Sequence, residues 1–194
     1  MVRAPERLRT DAVWITLCVL GFGVAAAFAR RYVSFHLGIP GHTGMAWIAV
    51  LVLGYLVTRR AGAGLGMGAT AALLAEPLGV KEPFLQNLLT FGSAGLLLDL
   101  VFHLPRIRQW SLVVALLGGG LAHMAKFAVV AVMAADAGVG KNINVVGLEQ
   151  AAVNHFIFGL AGGFAAALAF GSGNAVITRR KRVMRWARRL PGAR

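Results

Sequence analysis

The sequence contains little of what disulfide-bonded and soluble proteins depend on. Its only cysteine is Cys18, which excludes an internal disulfide framework and a cysteine-based metal site. Charged residues make up 14% of the chain, whereas an average soluble domain has about 25%. There is no GxxxxGK[ST] run and no HExxH run, so this chain lacks that phosphate-binding loop and that zinc-protease motif. We therefore expect neither nucleotide hydrolysis by that route nor an ordinary water-soluble domain.

Apolar residues, by contrast, make up 58% of the 194 residues and form long blocks that are nearly free of charge. A helix needs roughly 20 apolar residues to cross a bilayer. Four blocks reach this length, and two shorter ones reach it with neighbouring residues. The sequence therefore predicts an all-α, polytopic membrane protein whose single domain, residues 1–172, precedes a basic cytoplasmic tail, residues 173–194. The six predicted transmembrane helices cover residues 12–29, 43–58, 61–78, 84–104, 111–134 and 148–171.

Lysine and arginine are distributed unequally between the two sides of this arrangement. With both termini on the same side, that side holds fifteen of the twenty basic residues, eight of them in the tail. Positive charge concentrates on the cytoplasmic side of membrane proteins, so both termini are predicted to be cytoplasmic, in the cell (inner or plasma) membrane. A basic segment beside a membrane helix favours contact with anionic lipid over nucleic acid. The opposite side has Arg30, Arg31, Lys81 and Lys141, and Lys126 lies within a helix.

Hydrogen-bonding side chains are concentrated at the predicted outer ends of the helices. Gln150 and Asn154 share a helix face because they are four residues apart, and His155 lies on the adjacent face. Amide groups suit heteroaromatic and hydroxyl-bearing solutes, such as a water-soluble vitamin or its precursor. The alternative is that Asn154 and His155 only join neighbouring helices. The predicted substrate pocket consists of Gln86, Asn87, Asn154 and His155, with Glu149 and Gln150 near its mouth.

The longest outer connection contains the run FHLGIPGHTG, residues 35–44. Its three glycines permit tight turns, and Pro40 suits the start of a helix. We expect this loop to cover the outer pocket as a lid, with His36, His42 and Thr43 facing it. Two histidines six residues apart in a loop are not a recognised metal-binding spacing, so we predict no metal site here.

Asp99, His123 and Lys126 are ionisable residues within the predicted membrane helices. Asp99 lies in the fourth helix, and His123 and Lys126 lie three residues apart on one face of the fifth. A charged group in hydrocarbon is costly and is expected to face the bundle interior and a partner. The three residues therefore predict a buried charge network linked to transport, or else a structural ion pair.

Two helices carry small residues four positions apart: Ala25 and Ala29 in the first, and Gly64 and Gly68 in the third. Such residues form a flat stripe against which another helix can lie closely. This stripe predicts either internal packing of the bundle or docking of a helix from a partner protein.

These features together resemble the substrate-binding S component of energy-coupling factor (ECF) transporters. The resemblance covers roughly residues 10–172 and includes the basic N-terminus, the six helices, the long first outer loop, Ala25-x-x-x-Ala29 and the GIPGHTG run before the second helix. It implies a non-catalytic subunit that captures a small molecule from outside under a loop lid. It also implies that Ala25, Ala29, Gly64 and Gly68 dock a transmembrane coupling protein. That protein carries two cytoplasmic ATPases, so ATP is used by the partners and the chain has no cofactor of its own.

Two other functions are also considered. Ser93 on the fourth helix and His155 on the sixth resemble the catalytic dyad of rhomboid intramembrane proteases. However, Ala94 follows the serine where rhomboids have glycine, and Thr43 and Trp47 stand where the oxyanion-binding histidine and asparagine are expected. The third possibility is a membrane assembly protein that binds no ligand.

Overall fold

The computed structural model describes the backbone of residues 4–33, 38–104, 111–137 and 147–187, and the side chains of residues 11–33, 38–104, 112–133 and 147–173. Within these ranges the chain is helical and contains no strand, which confirms the all-α prediction. Six long elements follow one another: α1 (Ala4–Tyr32), α2 (Met45–Thr58), α3 (Ala63–Ala75), α4 (Phe84–Phe102), α5 (Ser111–Ala137) and α6 (Leu148–Ala187). A single 3₁₀ turn, His42–Gly44, leads into α2.

Four of these helices are long and apolar enough to cross a membrane, within Asp11–Tyr32, Phe84–His103, Leu112–Met133 and Leu148–Gly173. The helical segments His42–Thr58 and Ala63–Ala75 are shorter. At about 1.5 Å per residue, α3 extends only about 20 Å, less than the roughly 30 Å of hydrocarbon in a bilayer. Crossing by all six helices and a cytoplasmic position for both termini therefore remain predictions.

The predicted tight connection between α2 and α3 is built on left-handed backbone. Arg59, directly after α2, has φ 48°, and Gly62, directly before α3, has φ 78°. At the other end of α3 the chain continues in turns, where the Leu78 N–H donates to the Leu74 carbonyl at 3.1 Å. Gly79, with φ 80°, then closes this end, since its missing Cβ permits the left-handed conformation.

The first and last helices are longer than their apolar blocks predict. The backbone of α1 begins at Ala4, and that of α6 continues to Ala187. The segment predicted as a tail from residue 173 is therefore helical at its start, because its arginine-rich sequence contains good helix formers and no proline before Pro191.

The helices pack in a closed order that differs from their order in the chain: α1 contacts α2 and α3, α3 contacts α4, α4 contacts α5, α5 contacts α6, and α6 returns to α2. Glycines allow several of these contacts to reach backbone distance. A Cβ on Gly64 would collide with the Gly95 carbonyl, and one on Gly95 with the Gly64 carbonyl; Gly119 and Gly159 form a similar pair between α5 and α6. The glycines of α6 thus serve close packing between helices.

Large apolar side chains cover the outside of every helix. Examples are Leu17, Val57, Leu73, Leu100 and Leu168, on α1, α2, α3, α4 and α6. Soluble monomers rarely expose such extensive apolar surface. Together with the four long apolar helices, this surface fits a membrane protein.

Candidate functional site

A cavity of about 540 Å³ lies where the end of α1, the turn before α2, the segment before α4, the middle of α5 and the start of α6 meet. Its volume is in the range of small-molecule sites, about 300–1,000 Å³. The walls combine charged, imidazole, hydroxyl and amide groups with aliphatic ones. The lining residues are Arg30, Gly38, Ile39, Pro40, Gly41, His42, Thr43, Glu82, Gln86, Lys126, Val130, Ala151 and His155.

The described part of the predicted lid loop, residues 38–44, forms one wall of this cavity. Gly41 has φ 93°, and a Cβ there would lie 3.1 Å from the Cα of His155, so the turn packs directly on α6. The Gly44 N–H donates to the Gly41 carbonyl at 3.0 Å, and the His42 ring donates to the Ile39 carbonyl. The turn is thus held by its own hydrogen bonds, with His42 and Thr43 on the cavity wall. His36 lies outside the described residues.

Three charged side chains contribute to the wall, and two of them pair with each other. Arg30 from the end of α1 forms an ion pair with Glu82 from the segment before α4. Arg30 also donates through Nη1 to the Thr43 hydroxyl at 3.3 Å. Lys126 of α5 donates through Nζ to the same hydroxyl, also at 3.3 Å. Thr43 therefore joins the two cations, and across the described side chains Lys126 forms no ion pair.

The two histidines of the cavity are each oriented by a main-chain carbonyl. His155 Nδ1 lies 2.8 Å from the Ala151 carbonyl, and His42 Nδ1 contacts the Ile39 carbonyl. Since a carbonyl can only accept, Nδ1 must carry the hydrogen in both rings. In the neutral imidazole this leaves Nε2 of each ring as a hydrogen-bond acceptor.

His123 lies behind this wall, in contact with the lid turn. Its Nδ1 donates to the His155 carbonyl at 2.8 Å, while its Nε2 is buried and has no partner in the described part of the chain. A Cβ on Gly44 would collide with Nε2, so only glycine fits there. The histidine thus fixes the turn against α5 and α6.

The structure brings together some of the predicted pocket residues and separates others. Gln86 and His155 line the cavity. Asn87 is buried elsewhere, where its side-chain amide donates to the Glu82 carbonyl at 2.7 Å. Glu149 is exposed at the start of α6. Gln150 donates to Asn154 at 2.9 Å on the helix face beside the one that carries His155, and neither residue lines the cavity.

The structure separates the members of the predicted charge network. Asp99 lies at the start of α3 and Lys126 lies at the cavity, so the interpretation of the network as one unit needs correction. The Asp99 carboxylate accepts the backbone N–H groups of Gly64 and Leu65, at 3.2 and 2.9 Å. It therefore satisfies the free amides at the start of α3, a helix end that needs acceptors. Lys126 faces the cavity instead, and neither His123 nor Lys126 hydrogen-bonds to Asp99 within the described ranges. The single ion pair found there is that of Arg30 with Glu82.

The predicted docking stripe also needs correction. Gly64 and Gly68 face α4, since a Cβ on either would collide with the carbonyl of Gly95 or Phe91. Ala29 is buried, whereas Ala25 is exposed. The two glycines therefore take part in internal packing, which was the alternative interpretation, and Ala25 alone of the four is open to a partner.

The pair predicted from the rhomboid resemblance is not joined. The Ser93 hydroxyl donates to the Leu89 carbonyl of its own helix, and the His155 Nδ1 hydrogen is used by Ala151. No hydrogen bond connects the two side chains in the described structure, and Ser93 does not line the cavity.

Two charged residues of the cavity were absent from the predicted site. These are Arg30, which the sequence analysis places only among the basic residues of the predicted outer side, and Glu82. Arg30 lies at a helix end that the charge distribution predicts to be outer, where arginine is uncommon, and this is the signal that the sequence offers. Their pairing depends on the packing of α1 beside the turn before α4.

No protein-family model, curated protein or solved structure matches this chain. Within the described residues, no group of three or more histidine, cysteine, aspartate or glutamate side chains is arranged to hold a metal ion. The function is therefore inferred from the cavity itself.

Proposed function

We propose that this protein is the membrane-embedded substrate-binding subunit of an ATP-driven importer of the ECF type. It captures a small polar solute, a vitamin or its precursor, from the outer side of the cell membrane. A transmembrane coupling protein with cytoplasmic ATPases then supplies the energy.

The observation that carries this proposal is the cavity of about 540 Å³ under the 38–44 turn. Its size suits a vitamin-sized molecule. Polar groups of several helices converge on it, and two of them, Lys126 and His155, are buried, which is costly in an apolar bundle unless they have a purpose. A protein that served assembly alone would have no need for such a space.

The chemistry of the chain supports a subunit more than a complete transporter. The sequence has no GxxxxGK[ST] loop, so ATP must be used by another chain if transport is active. The basic residues concentrate at the end opposite to the cavity in the predicted topology, which favours an outward opening.

The first experiment tests the direction of the cavity. In a Cys18→Ser background, Lys81→Cys and Arg60→Cys each place one thiol on an exposed connection, at opposite ends of the bundle. A membrane-impermeant maleimide applied to intact cells should label residue 81 and not residue 60. The reverse pattern would refute capture from outside.

The second experiment tests binding and partnership. Tagged protein is purified in mild detergent from the membranes of its own host, and mass spectrometry identifies the small molecules and proteins that accompany it. We expect a bound solute together with a coupling protein and ATPases. A preparation without any bound solute would contradict the capture role, and a solute without partner proteins would contradict the ECF-type assembly alone.

A further inference from the structure

The cavity has an uneven distribution of hydrogen-bond donors and acceptors, and this narrows the class of ligand. At one side, Arg30 and Lys126 both donate to the hydroxyl oxygen of Thr43 at 3.3 Å. A threonine oxygen has two lone pairs and one hydrogen. With both lone pairs accepting, the Thr43 hydrogen is available to donate. This side of the cavity therefore presents three donor groups, and the one carboxylate among the lining residues, Glu82, is already paired with Arg30.

The charges at this side do not balance. Glu82 is already paired with Arg30, and the Lys126 ammonium has no carboxylate partner among the described residues. Lys126 is only 6% exposed. A buried ammonium needs a counter-charge to offset its lost hydration. An anionic group of a ligand, placed beside Lys126 and Thr43, would provide it.

Other groups of the cavity wall offer acceptors. His42 and His155 use their Nδ1 hydrogens on main-chain carbonyls, which leaves Nε2 of each ring to accept. Gln86 adds an amide that can both donate and accept. A ligand that also carries N–H or O–H groups can satisfy these positions.

We propose that the bound solute is a small organic acid, and this inference rests on the function proposed above. Its carboxylate lies between Lys126 and the Thr43 hydroxyl, with Arg30 adjacent. Its N–H or O–H donors face His155 and His42. Lys126 thus selects acids over neutral analogues of the same shape, because a neutral group would leave the ammonium without a counter-charge.

The test extracts the ligand from wild-type protein and identifies it by mass spectrometry. The expected molecule carries a carboxylate. Its methyl ester, which keeps the shape and removes the charge, should then bind the emptied wild-type protein at least tenfold more weakly. A neutral or cationic ligand, or an ester that binds as well as the acid, would overturn this inference and leave solute capture intact. An empty wild-type cavity would overturn both.

Matched variants then assign the effect to this cluster. Lys126→Met should lower ligand occupancy at least tenfold, and Thr43→Val, which keeps both cations, should lower it severalfold. Lys81→Met removes a positive charge from an exposed position outside the cavity and should retain wild-type occupancy. Should Lys126→Met fail to fold, Thr43→Val and the ester comparison still decide. Full occupancy in Thr43→Val would contradict the assignment.

Discussion

Asp99, at the contact between α3 and α4, and Lys126, at the cavity beneath the lid turn, are both buried ionisable side chains, but they have different partners. Asp99 is 8% exposed and accepts two backbone N–H groups from the first turn of α3. Lys126 is 6% exposed and reaches a single hydroxyl, that of Thr43, beside open space. The protein itself supplies two hydrogen-bond partners for the Asp99 carboxylate, whereas it gives the Lys126 ammonium one hydroxyl partner and, within the described residues, no carboxylate.

This difference in hydrogen-bond partners distinguishes a structural role for Asp99 from a ligand-binding role for Lys126, and the sequence alone does not distinguish them. Both residues are ionisable positions within apolar helices, and the sequence assigns both to one charge network because such burial is costly without a partner. A group whose hydrogen bonds are completed within the fold stabilises that fold. A group left incomplete at a cavity is the one expected to meet a ligand.

The largest effect is expected from Asp99→Leu. Two amides of α3 would lose their acceptor, which costs about 1–3 kcal/mol for each buried group. The free energy of unfolding, measured in detergent, should fall by about 2–6 kcal/mol in sum. Asp99→Asn keeps one acceptor oxygen and should lose about half as much. A well-folded Asp99→Leu protein that fails to bind ligand would place Asp99 in the site and remove the contrast.

A smaller loss is expected at the glycine contact of the same two helices. Gly95→Ala places a methyl group against the Gly64 carbonyl, so α3 and α4 must separate. We expect a loss of about 1–3 kcal/mol. The matched control is Gly92→Ala on α4, where a Cβ meets nothing within 4 Å. It should gain about 0.5–1 kcal/mol from helix propensity. Equal melting temperatures for the two variants would refute backbone contact between these helices.

At the cavity, a substitution is expected to leave the free energy of unfolding unchanged or to raise it. Lys126→Met exchanges a buried ammonium with an incomplete partner for an apolar chain of similar length. The free energy of unfolding of the ligand-free protein should therefore stay the same or rise by about 1 kcal/mol. Its melting temperature should no longer rise when ligand is added. A loss as large as that of Asp99→Leu would show that Lys126 is also structural.

The smallest effect is expected at Ala25, which is exposed on α1 and faces neither region. Ala25→Trp should change the free energy of unfolding by less than about 0.5 kcal/mol and leave ligand occupancy unchanged. If α1 docks a coupling protein, uptake by the assembled transporter should nevertheless fall. Ala29→Trp, at a buried position, should lower the yield of folded protein, and unaffected uptake in Ala25→Trp would argue against docking at that residue.

Much of the helical framework was predictable, because each long apolar block directly encodes a helix that can be buried in hydrocarbon. The predicted helices at 84–104 and 148–171 begin where α4 and α6 begin. His155 and Gln86, two of the predicted pocket residues, line one cavity, since helix ends at the same end of the bundle lie together. The sequence could not show that the helix face with Gln150 and Asn154 points away from the cavity. The rotation of α6 depends on its packing against α5 through Gly119 and Gly159.

The amino-acid sequence by itself determined that this chain is a set of apolar helices, because hydropathy acts locally along the chain. Only the tertiary structure decided which polar groups meet. Lys126 lies 83 residues from Thr43, Arg30 lies 52 from Glu82, and Asp99 lies 35 from Gly64. Those partners are set by which helices are neighbours and how each helix is rotated about its axis. Neighbour order and rotation depend on glycine contacts between helices, and a local sequence pattern does not predict them.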